Sequence, residues 1–219
     1  MGLKEIILKN RIIICDLDGT IVDSRLDLTN TVNSVRAHYS LPPLDIETVT
    51  SYVGDGAKAL ISRALRDSSA DIYEALELMQ KFYAENIPDK NSIYPTVIEG
   101  LEILRSKGYK LAVATNKPHA ATIQLMDMLE LSQYFDVILG AQSDYPLKPN
   151  PAMLNIAIEQ TNSTPEGSWM IGDNHTDLLS GRRAELKICF AEYGFGSHAD
   201  EHCDMTTTSF ANFANSKLS

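Results

Sequence analysis

The chain has 219 residues, near the upper size for one domain and enough for a core domain with a small insert. Hydrophobic residues make up 44% and charged residues 22%, an ordinary globular composition that excludes wholesale disorder. Asp and Glu outnumber Lys and Arg by 29 to 19, giving a net charge of −10 and a pI of about 4.9, so neither nucleic acid nor an anionic membrane is expected as a partner.

Charges at Lys4, Glu5, Lys9 and Arg11 break up the first apolar residues, so no export or membrane signal is expected there. Arg11–Asp16 (RIIICD) reads as the first strand, a β-branched run suited to burial on both faces. From about Ser24 to Tyr94 there is no strong strand run. Leu28–Tyr39, Gly56–Arg66 and Asp71–Asn86 are predicted helices, the last with Ile72, Leu76, Met79 and Phe82/Tyr83 at three- and four-residue steps. That is more helix than one crossover needs, and it predicts an inserted helical cap domain with links near Val22–Asp27 and Pro88–Pro95.

Beyond it, strand and helix alternate. Strands are predicted at Lys110–Thr115, Asp136–Gly140, Ser168–Asp173 and Lys187–Ala191, with helices at Val97–Lys107, His119–Leu129, Pro151–Gln160 and Thr176–Ala184. The fold class is α/β: a Rossmann-like open parallel sheet, residues 1–22 and 95–219, with an α-helical cap over 23–94. The tail from about Thr206 is polar and weakly helical. Cys15, Cys189 and Cys203 form no CxxC pair, which fits a reducing, cytoplasmic location.

In open α/β sheets the ligand site lies at the carboxyl ends of the strands. Those ends carry Asp16-Leu17-Asp18-Gly19-Thr20, Thr115-Asn116-Lys117, and Gly172-Asp173 with Asp177 four residues on. Lys148 lies in the loop after the third strand. Paired carboxylates, a hydroxyl and a lysine suit Mg²⁺ and phosphate. Mg²⁺ takes oxygen ligands in near-octahedral geometry, and Asp16, Asp173 and a backbone carbonyl of the Asp18 turn can supply them. Asp16 can then attack phosphorus, while Asp18 protonates the leaving oxygen and later activates water. Thr115, Asn116 and Lys148 can hold the transferring oxygens.

DLDGT followed by IVDS, then ATNKP, KPNP and GDNHTD, resemble the four ordered motifs of the haloacid dehalogenase superfamily of phosphohydrolases, from about Ile12 to Gly196. The resemblance implies Asp16 as nucleophile, Asp18 as acid/base, Thr115 as phosphate-binding hydroxyl, Lys148 as charge partner and Asp173 as Mg²⁺ ligand. Asp16 and Asp18 are counted with Asp173 in the metal set. Asp177 joins it, orienting Lys148 or a water on the metal. Gly19, Thr20 and Asn116 are expected at the substrate.

Tyr52–Leu60, Tyr94–Val97 and Glu192–Gly196 are similar to the phosphoglycolate phosphatase branch. By that likeness Gly54, Gly56 and Lys58 would form a cap surface over the substrate carboxylate. Gly54 and Gly56 also read simply as turn glycines, and His175 as a turn residue. The expected activity is Mg²⁺-dependent hydrolysis of a small phosphorylated metabolite, 2-phosphoglycolate foremost, by a monomer or homodimer. Another capped activity (pyrophosphatase, nucleotidase, sugar-phosphate phosphatase or mutase) or a non-catalytic phosphate binder stays open.

Overall fold

The structure is a computed structural model and describes residues 10–85 and 92–218. The described residues form six strands: β1 (Ile12–Cys15), β2 (Lys110–Pro118), β3 (Val137–Ala141), β4 (Trp169–Gly172), β5 (Lys187–Ala191) and β6 (Met205–Thr207). Between β1 and β2 lie α1 (Arg25–His38), α2 (Ile46–Thr50), α3 (Ala57–Ala64), α4 (Ile72–Glu85) and α5 (Val97–Ser106). Then α6 (His119–Met128) joins β2 to β3, α7 (Ala152–Gln160) joins β3 to β4, α8 (His175–Arg183) joins β4 to β5, and α9 (Phe210–Asn215) follows β6. The strands form one parallel sheet in the order β3-β2-β1-β4-β5-β6.

The apolar strands read as continuous runs because both faces of the sheet are covered. Side chains alternate across the sheet, so Ile12 and Ile14 pack with Ala112, Ala114 and Met170 on one face, against Met153, Leu154 and Ala157 of α7. Ile13 and Cys15 pack with Leu111, Val113 and Ile171 on the other, against Leu101 of α5, Met126 of α6 and Phe210 of α9. Gly181 brings α8 close to the sheet, where a Cβ would lie 2.9 Å from that of Met170. No helix among the described residues is long and apolar enough to cross a membrane.

A third, separate core holds α1 to α4 together, built from Val32, Val35, Val49, Ile61, Ala75 and Met79. The chain enters and leaves this helical unit side by side. Val22 bridges Ile93 in antiparallel fashion, Asp23 N donates to Ser92 O (2.7 Å) and Tyr94 N donates to Ile21 O (3.0 Å). Part of the expected return link, and the end of the helix predicted to Asn86, lie outside the described residues.

Arg36 anchors this unit from within. Its guanidinium is buried and donates to Pro42 O at 2.7 Å, to Ala64 O, and bidentately to Asp67 at 3.1 and 3.0 Å. Arg36→Met would keep most of the stem's packing but strand the buried Ala64 carbonyl, the part-buried Pro42 carbonyl and the Asp67 carboxylate. It is expected to cost roughly 2–4 kcal/mol, read as a lowered urea midpoint.

Three features depart from the sequence expectations. The tail is not merely a polar end: β6 adds a sixth strand, and α9 buries Phe210 and Phe213 under a Ser209 cap whose side chain accepts from Asn212 N. A short helix, α2, was not anticipated, although Asp45 caps it by accepting from Thr48 N at 2.6 Å. Finally, β2 runs on past Thr115 to Pro118, with a register irregularity against β3 after Ala114.

Candidate active site

The topological switch of the sheet falls where β1 sits between β2 and β4. Asp16 N donates to Ile171 O at 2.9 Å, so the residue after β1 emerges beside the end of β4. The following turn is tied back by Gly19, Thr20, Ile21 and Val22, whose N–H groups bond Val22 O or Leu17 O. This fixes Asp18 at the strand mouth. From the other side, the Asn116 side chain clamps the loop carrying Lys148. Its Oδ1 accepts from Lys148 N (2.8 Å), and its Nδ2 donates to Lys148 O and to Gly54 O (both 2.9 Å). Asn116 therefore links two strand-end loops to the helical unit, and its side-chain amide is committed to that link.

Lys148 is buried and makes three bonds, to Asp16 Oδ1 (2.7 Å), Asp177 Oδ1 (2.6 Å) and Ala114 O (2.7 Å). Asp177 also closes a capping box at the start of α8, its Oδ2 accepting from Asn174 N at 3.0 Å. The four-residue spacing from Asp173 thus places one acid at the strand end and the other behind it, on the lysine. Asp173 Oδ2 is held by the N–H groups of Phe195 (3.0 Å) and Gly196 (2.7 Å). Gly19 has φ of +91°, and a Cβ there would collide with the Asp173 carboxylate. Only glycine lets the DLDGT turn approach so closely.

One lysine among three acids leaves the pocket negative. Oxygen atoms of Asp16, Asp173 and Asp177 lie within 4.8 Å of one another, all three buried. Burial pushes the Asp16 carboxyl up to about 7, with Asp177 adding repulsion and Lys148 opposing it. Burial, with Asp16 and Asp177 close by, also holds Asp173 well above the usual carboxylate range. Lys148 is held above the usual lysine range: burial opposes its charge, but Asp16 and Asp177 outweigh it. Asp16 Oδ2 and Asp173 Oδ1 meet no donor among the described residues. An all-oxygen donor set with surplus negative charge fits a hard divalent cation.

Of the residues singled out from the sequence, Asp16, Asp18, Thr115, Asn116, Lys148, Asp173, Gly54 and Gly56 line one cleft between the sheet edge and the helical unit. Gly54 (φ +118°) and Gly56 (φ +90°) make the turn into α3, so their turn reading and their place at the cleft hold together. Asp177 and Gly19 stand behind the lining. Thr20 is fully buried and offers its carbonyl to the Tyr193 hydroxyl (2.9 Å). Lys58 is exposed and lies over the Tyr73 ring, 4.7 Å from its centroid, away from the lining. His175 begins α8, donating its N–H to Ser197 O, and does not line the cleft.

Sequence reasoning placed Lys117 at a strand end but gave it no role; its Nζ lies 3.1 Å from both Asp18 oxygens. That reasoning missed the two amides on Asp173 and Tyr83 of α4, which lines the cleft.

A parallel sheet with β1 inside it, a carboxylate at its end paired with a buried lysine, and a helical roof over the cleft define a capped α/β fold with its candidate site at the strand ends. Residues 13–191 match the haloacid dehalogenase-like hydrolase family, and the chain belongs to it. It is 35% identical over 185 residues to the phosphoglycolate phosphatase of Aquifex aeolicus, covering 84% of this chain and 86% of that one. The phosphoglycolate phosphatase of Chromobacterium violaceum is 33% identical over 217 residues, 96% of each chain. A solved structure described as a predicted phosphoglycolate phosphatase, from Haemophilus somnus 129pt, superposes with a TM-score of 0.87 at 28% identity, covering 94% and 96%.

Proposed function

We propose that the chain is a Mg²⁺-dependent phosphatase that hydrolyses 2-phosphoglycolate through an aspartyl-phosphate on Asp16. The observation that carries this is the Lys148 bridge between Asp16 and Asp177, set in the same cleft as Asp18 and Thr115. The relatives named phosphoglycolate phosphatase support the choice of substrate.

In the first step a carboxylate oxygen of Asp16 bonds to phosphorus and the ester P–O bond breaks. The departing oxygen takes a proton from Asp18. In the second, Asp18 takes a proton from water as the water oxygen bonds to phosphorus, and Asp16 is released with phosphate. Thr115 Oγ1 accepts from Lys117 N (3.2 Å), which leaves its proton for a phosphoryl oxygen. Lys148 offsets charge on Asp16 and on the transferring group. Mg²⁺, held by the open oxygens of Asp16 and Asp173 with the Asp18 carbonyl, would neutralise phosphate charge that repels the carboxylate. Asp177 serves this site through Lys148, since both its oxygens are engaged.

Residues 1–22 and 95–219 form the core and 23–94 the cap, which closes over the substrate on the paired links at Val22 and Ile93. The molecule acts as a cytoplasmic monomer or homodimer.

The test is phosphate release from 2-phosphoglycolate and a panel of other phosphate esters, with Mg²⁺ and with EDTA. Release should be fastest from 2-phosphoglycolate and should disappear with EDTA. Release that is indifferent to EDTA, or absent from every ester, would contradict the proposal.

A further inference from the structure

Two cations line the cleft among the described residues, Lys148 and Lys117. Lys148 is spent on Asp16, Asp177 and a carbonyl. The Lys117 side chain has no part in the scheme above. Its ammonium carries three donors. Two are taken by the Asp18 oxygens at 3.1 Å each, and the nitrogen lies 4.4 Å from the centroid of the Tyr83 ring. Tyr83 itself is 7% exposed, and its hydroxyl makes no hydrogen bond. A lysine ammonium and a buried hydroxyl that meets no partner in full hydrogen-bond geometry among the described residues therefore stand together on the Asp18 side of the cleft, near enough to interact with each other.

That side is where the leaving group must sit, because Asp18 has to reach the ester oxygen. The wall around it is mostly apolar, with Leu28, Leu76 and Met79 facing the cleft and Gln80 beside them. A charged leaving group buried there needs a cation and hydrogen bonds of its own. We propose that Lys117 and the Tyr83 hydroxyl bind the carboxylate of the leaving group and so set the preference for short, carboxylated phosphate esters. One methylene separates ester oxygen from carboxyl carbon in such a substrate, a span that keeps its carboxylate beside Asp18. This assignment rests on the phosphatase reading and deepens it: Lys117, on β2, and Tyr83, on the helical unit, would read the substrate together.

The test uses two matched pairs. Hydrolysis is compared for 2-phosphoglycolate and propyl phosphate, and binding by calorimetry for their non-hydrolysable counterparts, 3-phosphonopropionate and butylphosphonate. Wild type should favour the carboxylated member of each pair. In Lys117→Met that preference should fall roughly ten- to hundredfold, the worth of one charge-assisted hydrogen bond, chiefly in KM and Kd. Tyr83→Phe should lower it severalfold. Each preference is a ratio within one protein sample, so partial unfolding of a variant does not distort it. If Lys117→Met slows or weakens both members equally, Lys117 serves only Asp18 and the assignment is wrong. If wild type shows no preference, the assignment fails together with the choice of substrate. If wild type hydrolyses neither ester yet binds 3-phosphonopropionate through Lys117, the phosphatase reading falls, and with it the leaving-group role, while the carboxylate contact of Lys117 stands.

Discussion

Asp16→Asn is expected to slow phosphate release by at least about 10⁴-fold, because a nucleophile has no substitute within a concerted set. The amide is isosteric with the carboxyl but cannot form the acyl phosphate. Stability should move the other way. Asp16 is buried among Asp173 and Asp177, and its carboxyl is pushed up to about 7 in the fold against about 3.9 in an unfolded chain. Ionising it therefore costs stability progressively as pH rises through that window. The variant has no such cost. With chelator present, its melting temperature should gain on that of wild type between pH 4 and pH 7. Thermal scans across that range, alongside ester hydrolysis, check both halves. A variant with near wild-type turnover, or one whose relative stability falls with rising pH, would refute the assignment.

Lys148→Met should be the most damaging substitution for the fold of the site. The side chain is 1% exposed, and removing its charge leaves Asp16 and Asp177 facing each other without a cation. Breaking a buried pair in this way costs about 3–5 kcal/mol, which for a chain of this size lowers the melting temperature by roughly 6–20 °C. Hydrolysis should fall at least about 10²-fold, the scale of losing one electrostatic stabiliser of the transition state. Adding Asp177→Asn to Lys148→Met removes one of the uncompensated charges. It should restore much of the stability and none of the activity. Denaturant midpoints and turnover of the single and double variants separate the two roles. Equal stability of Lys148→Met and wild type would mean that the lysine does not neutralise the acids.

How much of this was legible in the sequence follows from where each residue's partners lie. The strands were legible because burial on both faces forces uninterrupted apolar runs such as Ile12-Ile13-Ile14-Cys15. Strand β6 was not, since Met205-Thr206-Thr207 is a short edge strand with an exposed centre and no apolar run to betray it. Helix α9 shows Phe210, Phe213 and Ala214 at helical spacing, but six residues are too few for a periodic signal.

At the site, Asp16, Asp18, Thr115, Lys148 and Asp173 stood out because each closes or follows a strand, where chain order alone predicts convergence. Lys117 was seen at the end of the second strand but without a role, and Tyr83 was read only as a helix position. Nothing local to α4 distinguishes Tyr83 from the core positions Ala75 and Met79 around it, and its neighbour in space is 34 positions away on β2. The clamp on Asp173 is invisible for another reason: its donors are the backbone N–H groups of Phe195 and Gly196.

The central claim is that Asp16 carries the phosphoryl group during turnover. Acid quenching of the enzyme mixed with 2-phosphoglycolate and Mg²⁺, followed by borohydride reduction, converts an aspartyl-phosphate to homoserine. Mass spectrometry of the tryptic peptide from Ile12 to Arg25 should find homoserine at position 16, and none without substrate. Homoserine at another position, or an unmodified Asp16 in enzyme that is turning over, would contradict the account.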